Sequence, residues 1–327
     1  MTLESGLSKK TVLFNKYWRR YLTSGMPPTL YQAAWHLPNA GGKRIRPFLA
    51  LTSCESVAGT VKSALPFASA LELMHNFTLV HDDIMDRSLL RRNYPTVHVK
   101  FGEPSAILAG DLMFAKSFEA LLDTPVEYQT FKTLEQWFID CIIAICEGQH
   151  LDMEFEKRAT VSEKEYLGMI KKKTAVLFQL SAKGGALIGG GNPKEIAALS
   201  TYGLSLGLAF QIWDDCLDMS SDEKTIGKDI GNDIRNGKKT MIAVHSLSHA
   251  TGKQKDLLKA LFGNRQASDA EVKKVFRCFR DLGSIEYAQN QARRLNARAK
   301  KALASLPDSK ASQLLRDLAD YAIQREK

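Results

Sequence analysis

LPFASALELMHNFTLVHDDIMD, residues 65–86, decides how the rest of the chain is read. Apolar side chains recur every three or four positions, through Leu65, Ala68, Leu71 and Met74, which is the period of a buried helix and not of a strand. The apolar run Phe77, Thr78, Leu79, Val80 leads straight into acids. On a helix, Asp82 and Asp86 stand four apart, so both carboxylates leave one face about 6 Å from each other. Like charges at that spacing repel, so a divalent metal or a basic partner is expected there.

The same geometry returns in QIWDDCLD, residues 211–218, where Asp214 and Asp218 are again four apart behind an apolar segment. Oxygen-only ligands of this kind suit Mg²⁺, which keeps several waters and is completed by substrate phosphates. Cations stand in the same neighbourhoods. Arg91 and Arg92 follow Asp82 by nine and ten residues, before a Tyr94-Pro95 break, and read as a helix end suited to bidentate phosphate contacts. GGKRIRP at 41–47 is a glycine-flanked basic turn, KKKT at 171–174 supplies Lys173 and Thr174, and GKDIGNDIRNGKKT at 227–240 adds Lys228 and Lys238. Two sets of carboxylates and cations suggest two diphosphate ligands.

Helical periodicity runs through almost the whole chain, and alternating strand patterns with Asn-Gly or Asp-Gly turns are missing, so the fold class is all-α. Breaks such as Pro27-Pro28, Gly41-Gly42, Gly189-Gly190-Gly191 and Gly252 divide the sequence into about ten helices. None is a long linker and no repeat of 20 to 50 residues occurs, so a single domain over 1–327 is expected. Ten prolines and 22 glycines in 327 residues exclude collagen-like and disordered classes. Five cysteines without a CxxC pair argue against a secreted disulfide framework. No secretory h-region opens the chain and no long apolar run follows, so a cytoplasmic protein without a membrane span is expected. The net charge of +9 tempts toward nucleic acid, but Thr251–Lys327 holds 17 basic against nine acidic residues and so carries nearly all of the excess. There Val272, Val275, Phe276 and Phe279 alternate at helical spacing with Lys273, Lys274, Arg277 and Arg280, the pattern of a solvated helix face; no nucleic-acid partner is expected.

At these residues the sequence resembles the trans-type isoprenyl diphosphate synthase (polyprenyl synthetase) family. GGKRIRP, the DDxxD(x4)RRxxPT block, GQxxD at 148–152, KT at 173–174, QxxDDxxD at 211–218 and the GK(x9)K segment stand in the family's order and spacing, from about residue 40 to 245. The resemblance implies an all-α bundle with a central active-site cavity, usually homodimeric. It implies Asp82, Asp86 and Asp214 as Mg²⁺ ligands, about three ions per site, with Asp83, Asp152, Asp215 and Asp218 as closer support behind them. Lys43, Arg46, His75 and Arg92 would hold isopentenyl diphosphate; His75 lies two helical turns before Asp82, on the same face. Arg91, Lys173, Thr174, Gln211, Lys228 and Lys238 would hold the allylic diphosphate and steady its ionised form. The implied reaction is ionisation, condensation and elimination of a proton, giving an all-trans prenyl diphosphate.

Two positions depart from the family's pattern. Asn93 stands where glycine is usual, and asparagine tolerates left-handed backbone; Asp229 replaces a common proline. Product length in the family is set beneath the first aspartate motif. Phe77, five residues before Asp82, and Thr78 resemble the floor of short-chain enzymes of the archaeal geranylgeranyl type, which implies a C20 product, with a C15 (farnesyl) synthase as the alternative. A non-catalytic partner subunit is a second alternative, opposed by the survival of every metal carboxylate. A class I terpene cyclase would not use an acid-only second motif or the GGKRIRP turn, and a His-Asp metal phosphohydrolase would leave the second aspartate cluster unexplained.

Overall fold

The computed structural model describes residues 2–218 and 228–324. Its helices are α1 Leu3–Trp18, α2 Pro28–Asn39, α3 Ile45–Ser56, α4 Leu65–Met85, α5 Val97–Phe101, α6 Glu103–Leu122, α7 Tyr128–Lys157 and α8 Glu163–Ile170. They continue through α9 Val176–Ile188, α10 Pro193–Asp218, α11 Lys228–Asn236, α12 Met241–His249, α13 Gly252–Leu261, α14 Asp269–Asp281, α15 Ser284–Ala302 and α16 Lys310–Ala322. The all-α expectation holds, with more helices than the Pro and Gly breaks alone mark out. Some starts are written in polar side chains instead: Ser162 opens α8 and Ser268 opens α14, each with a glutamate three residues on that completes a capping box.

The chain divides into two compact units. The first comprises Met1–Ile139, Leu180–Ser200 and Ser305–Leu315; the second comprises Asp140–Gln179, Thr201–Ala304 and Arg316–Lys327. In the first, α4 is the central element: Leu65, Phe67, Ala68, Ala70, Leu71, Leu73 and Met74 are all buried. The second has its own core, in which Phe155, Tyr166, Ile170, Ile212, Met241 and Ile242 pack with Val272, Val275, Phe276 and Phe279 of α14. The apolar positions read from the C-terminal sequence are thus the buried ones, while Lys274, Arg277 and Arg280 are exposed. All five cysteines are free.

Two local structures differ from the sequence reading. Arg91 and Arg92 do not end a helix: α4 stops at Met85, and Leu90–Arg91 pairs antiparallel with Tyr94–Pro95 in a minimal hairpin. Its two turn residues, Arg92 and Asn93, sit at φ 54° and 65°, as a type I′ turn requires, so Asn93 occupies the left-handed backbone expected of a glycine substitute. The segment Lys171–Ala175 is a π-helical turn between α8 and α9. By length and composition α10, over Pro193–Leu217, is apolar enough to cross a membrane, yet half of that window is buried within the protein and its end carries Gln211, Asp214 and Asp215.

Candidate active site

In the first unit, α4 delivers Asp82 half-buried from its last turn and Asp86 exposed at its C-cap, four residues apart as the spacing requires. Between them Asp83 points inward and is buried; the Nε of Arg91 donates to its Oδ1 at 2.7 Å. That bond fixes the Arg91 stem and leaves the two terminal amino groups of the fork without a partner among the described residues. Burial raises the Asp83 carboxyl above its ordinary range and Arg91 opposes the rise.

The basic turn lies in the same unit. Gly41 and Gly42, at φ 95° and 137°, allow a backbone path that an L side chain would resist. Arg92 donates to the Gly41 carbonyl, and a Cβ on Gly42 would come within 3.0 Å of the Arg92 guanidinium. Lys43 is exposed and Arg46 half-buried. Arg46 Nη1 lies 3.0 Å from His75 Nε2; arginine can only donate, so that nitrogen accepts and the histidine is neutral, with its proton on Nδ1. Desolvation, and after it the charges of Arg46, Arg92, Arg91 and Arg44, hold His75 well below its usual range. Arg46, His75 and Arg92 thus belong to one cluster whose excess positive charge calls for an anion, and Lys43, assigned with them from the sequence, stands exposed on the same basic turn.

Below the aspartates, Phe77 is 9% exposed and meets Phe114 of α6 edge to face at 5.3 Å. Phe118 and Phe138 continue the series at 5.3 and 5.4 Å. Thr78 is half-buried and its hydroxyl donates to the His75 carbonyl at 2.8 Å.

The second unit holds the other set. Asp152, Lys173, Thr174, Gln211, Asp215 and Lys238 line one cleft of about 360 Å³, part of it open to solvent, together with Tyr166 and Thr240. The π-helical turn carries Lys173 and Thr174 into it: Lys173 pairs with Asp152, and the Thr174 hydroxyl donates to Gln211 Oε1 at 2.9 Å. Extra-residue turns of this kind re-aim side chains at functional sites. Gln211 in turn donates through Nε2 to Asp215 Oδ1 at 3.0 Å, and the buried Tyr166 hydroxyl donates to Asp215 Oδ2 at 2.9 Å. Burial pushes the Asp215 carboxyl up to about 7 against the pull of Lys238, Tyr166 and Gln211. Lys238 Nζ stands 3.7 Å from Asp233 Oδ1. Asp214, on the same turn of α10, is half-buried. The side chains of Asp218 and Lys228 lie outside the described residues.

Sequence reasoning missed three contributors. Tyr166 carries no motif, and its role follows only from facing Asp215. Arg44 was passed over inside GGKRIRP, and Glu72 inside the apolar run of α4; together they make a buried pair at 2.5 Å. Gly148 was noted within GQxxD for its letters; its reason is contact, because a Cβ there would run into the backbone of Lys172 and Lys173.

For a divalent ion the chemistry of each motif fits taken by itself: Asp82 and Asp86 in the first unit, and Asp214 in the second, are hard oxygen donors within reach of solvent, with His81 and Cys216 as the nitrogen and sulfur groups nearest them in sequence. Among the described residues no three His, Cys, Asp or Glu side chains form a ready-made cage.

An almost wholly helical frame, with paired aspartates ending its longest apolar helices and cations gathered beside them, is the isoprenoid-synthase type of fold. The sequence model of polyprenyl synthetase matches residues 27–279. A short chain isoprenyl diphosphate synthase of Methanothermobacter thermautotrophicus is 44% identical over 98% of each chain. A geranylgeranyl diphosphate synthase of Saccharolobus solfataricus is 45% identical over 91% of each. The crystal structure of geranylgeranyl pyrophosphate synthetase from Pyrococcus horikoshii superposes with a TM-score of 0.93 at 43% identity, covering 99% of this chain and 98% of that one. The chain belongs to the polyprenyl synthetase family and is a prenyltransferase.

Proposed function

We propose that the protein joins isopentenyl diphosphate head to tail to allylic diphosphates of five, ten and fifteen carbons, and that its end product is geranylgeranyl diphosphate (C20). The observation that carries the reading is the first-unit cluster, in which Arg46, Arg92 and a neutral His75 gather in the unit that holds the first aspartate pair, with Lys43 exposed on the same turn. Such a cluster suits a diphosphate that must be held without being protonated, because His75 accepts from Arg46 and is no acid.

The allylic partner falls to the second set. Lys173, Thr174, Gln211, Lys228 and Lys238, with the Arg91 fork from the first unit, grip its diphosphate and steady the negative charge that grows as the C–O bond breaks. Asp82, Asp86 and Asp214 are the carboxylates that would hold Mg²⁺, which when bound supplies further neutralisation of that charge. Asp83, Asp152 and Asp215 hold the arginine, lysine and amide neighbours in place, and Asp218 is assigned the same supporting role by the family resemblance. The allyl cation is attacked by the isopentenyl double bond held nearby, and the proton then lost passes to the departing diphosphate. Water must be kept from the cation, which suits the apolar faces leading into both motifs.

Phe77, backed by Phe114, is the floor that limits the product, with Thr78 beside it. The chain is read as one catalytic domain over 1–327 that carries both aspartate motifs. The protein works as a homodimer through the exposed apolar side chains of α6, Ile107, Leu108, Phe114 and Leu122.

The test is incubation with labelled isopentenyl diphosphate and each allylic diphosphate, with Mg²⁺ and with chelator, followed by chain-length analysis. C20 product that disappears with chelator supports the whole reading, and a C15 end point moves the floor upward. Turnover with no starter by folded protein would leave the partner-subunit reading in its place. Phe77→Ala is expected to shift products at least one C5 unit longer than wild type, and an unchanged product ladder would remove Phe77 as the floor.

A further inference from the structure

Arg44 is an arginine inside a core. Its side chain is 5% exposed and that of its partner Glu72 3%, with Nη1 of the one 2.5 Å from Oε1 of the other. Nη2 donates to the Pro38 carbonyl at 2.7 Å, the guanidinium lies 4.9 Å from the centre of the Trp18 ring, and Nε has no hydrogen-bond partner among the described residues. Glu72 also accepts from Asn76 Nδ2 at 3.1 Å. A buried ion pair is a poor device for stability, because desolvating both charges offsets most of their attraction and an apolar pair of the same volume serves as well. What it offers is direction: a planar fork can be satisfied in only one orientation.

The orientation serves the basic turn. Arg44 caps α3 at φ 50°, a left-handed conformation unfavourable for a residue with a Cβ, and the fork holds it there. With Arg44 turned inward, Lys43 before it is exposed and Arg46 after it reaches His75. Glu72 and His75 lie three apart on α4, on one face. One helix therefore grips the turn twice, Glu72 through Arg44 and His75 through Arg46, while Arg92 takes the Gly41 carbonyl. Glu72 is also the acid whose charge most favours the guanidinium of Arg92.

The geometry points to Arg44 and Glu72 as a positioning pair for the isopentenyl diphosphate subsite: neither touches substrate, and together they set the register of the turn that presents Lys43 and Arg46. The inference rests on the proposed assignment of that subsite. Its consequence is a split between the two substrates. In the double variant Arg44→Met/Glu72→Met, which replaces the pair by apolar side chains of similar length, the melting temperature is expected to stay within a few degrees. The KM for isopentenyl diphosphate should rise about tenfold or more, while kcat and the KM for the allylic diphosphate move less than about threefold. Arg44→Lys, which keeps the charge but cannot reach Glu72 and Pro38 together, should show the same split at smaller amplitude. Unchanged KM values in a folded double variant, or equal rises for both substrates, would overturn the pair's role. Calorimetric titration with inorganic diphosphate reads the turn without turnover. If the wild type catalyses no condensation, the proposed function fails by itself, and the pair stands or falls on whether the double variant loses about tenfold in diphosphate affinity.

Discussion

Asp215 shows how a carboxylate of the second aspartate motif is kept in one place. Tyr166 and Gln211 each donate to one of its oxygens, and Thr174 orients the amide of Gln211. Tyr166→Phe would leave Oδ2 buried without its donor, and an unsatisfied buried acceptor costs about 1–3 kcal/mol. Urea unfolding should report a loss of that size, and a loss below about 0.5 kcal/mol would mean that water replaces the hydroxyl. His75 makes a pH-dependent contribution of known sign. Its folded pKa lies below its unfolded value of about 6.5, so the unfolded chain binds the proton first. The associated stability is complete above about pH 6.5 and falls with pH below it, by up to about 1.4 kcal/mol per unit. His75→Gln should flatten that part of the stability profile between pH 7.5 and 5.5; parallel profiles for the two proteins would show that His75 is free to protonate.

At the scale of elements, the second cluster depends on a defect in helical regularity. Without the π-helical turn over Lys171–Ala175, Lys173 and Thr174 would leave the helix at different angles, so α7 must let the bulge come close. Gly148 is the residue that does so, because any Cβ there meets the backbone of Lys172 and Lys173. Gly148→Ala is expected to cost about 1–3 kcal/mol through overpacking, and to lower turnover more than the loss of fold explains, because the bulge itself must shift. Far-ultraviolet circular dichroism together with steady-state rates checks this; full activity in a destabilised variant would detach the bulge from the chemistry. The hairpin at Arg92-Asn93 is the first unit's counterpart. Two consecutive left-handed residues turn the chain back at once, so that Arg91 reaches Asp83 and Arg92 reaches Gly41. A helix end, the arrangement inferred from the bare sequence, would space the two side chains about 100° apart around an axis instead.

For the whole molecule, the net charge sits on exposed C-terminal helix surface, with Lys274, Arg277 and Arg280 over the buried apolar stripe of α14. The exposed face of α6 is the opposite case, an apolar stripe facing outward. Leu108, 56% exposed, is the natural place to test the proposed dimer. Leu108→Lys should convert the species seen in sedimentation velocity from dimer to monomer at micromolar protein, with little change in helix content, since the side chain is outside the core. A wild-type chain that sediments as a monomer would sink the dimer proposal outright.

Periodicity and short-range spacing were enough for the all-α class, the helices around both aspartate motifs and the apolar stripe of α14. Each is a property of residues within a few turns of one another, where backbone geometry alone relates letters to space. The motif cations were legible in the same way, as was the left-handed tolerance of Asn93. What only the tertiary structure decided is everything that joins distant segments: Glu72 beneath Arg44, Tyr166 behind Asp215, Gly148 under the bulge, and Arg46 on a neutral His75. These contacts span from about 25 to 49 positions, and burial is what gives them meaning. A charge pair, a hydroxyl or a missing methyl becomes consequential only when packing removes water from around it.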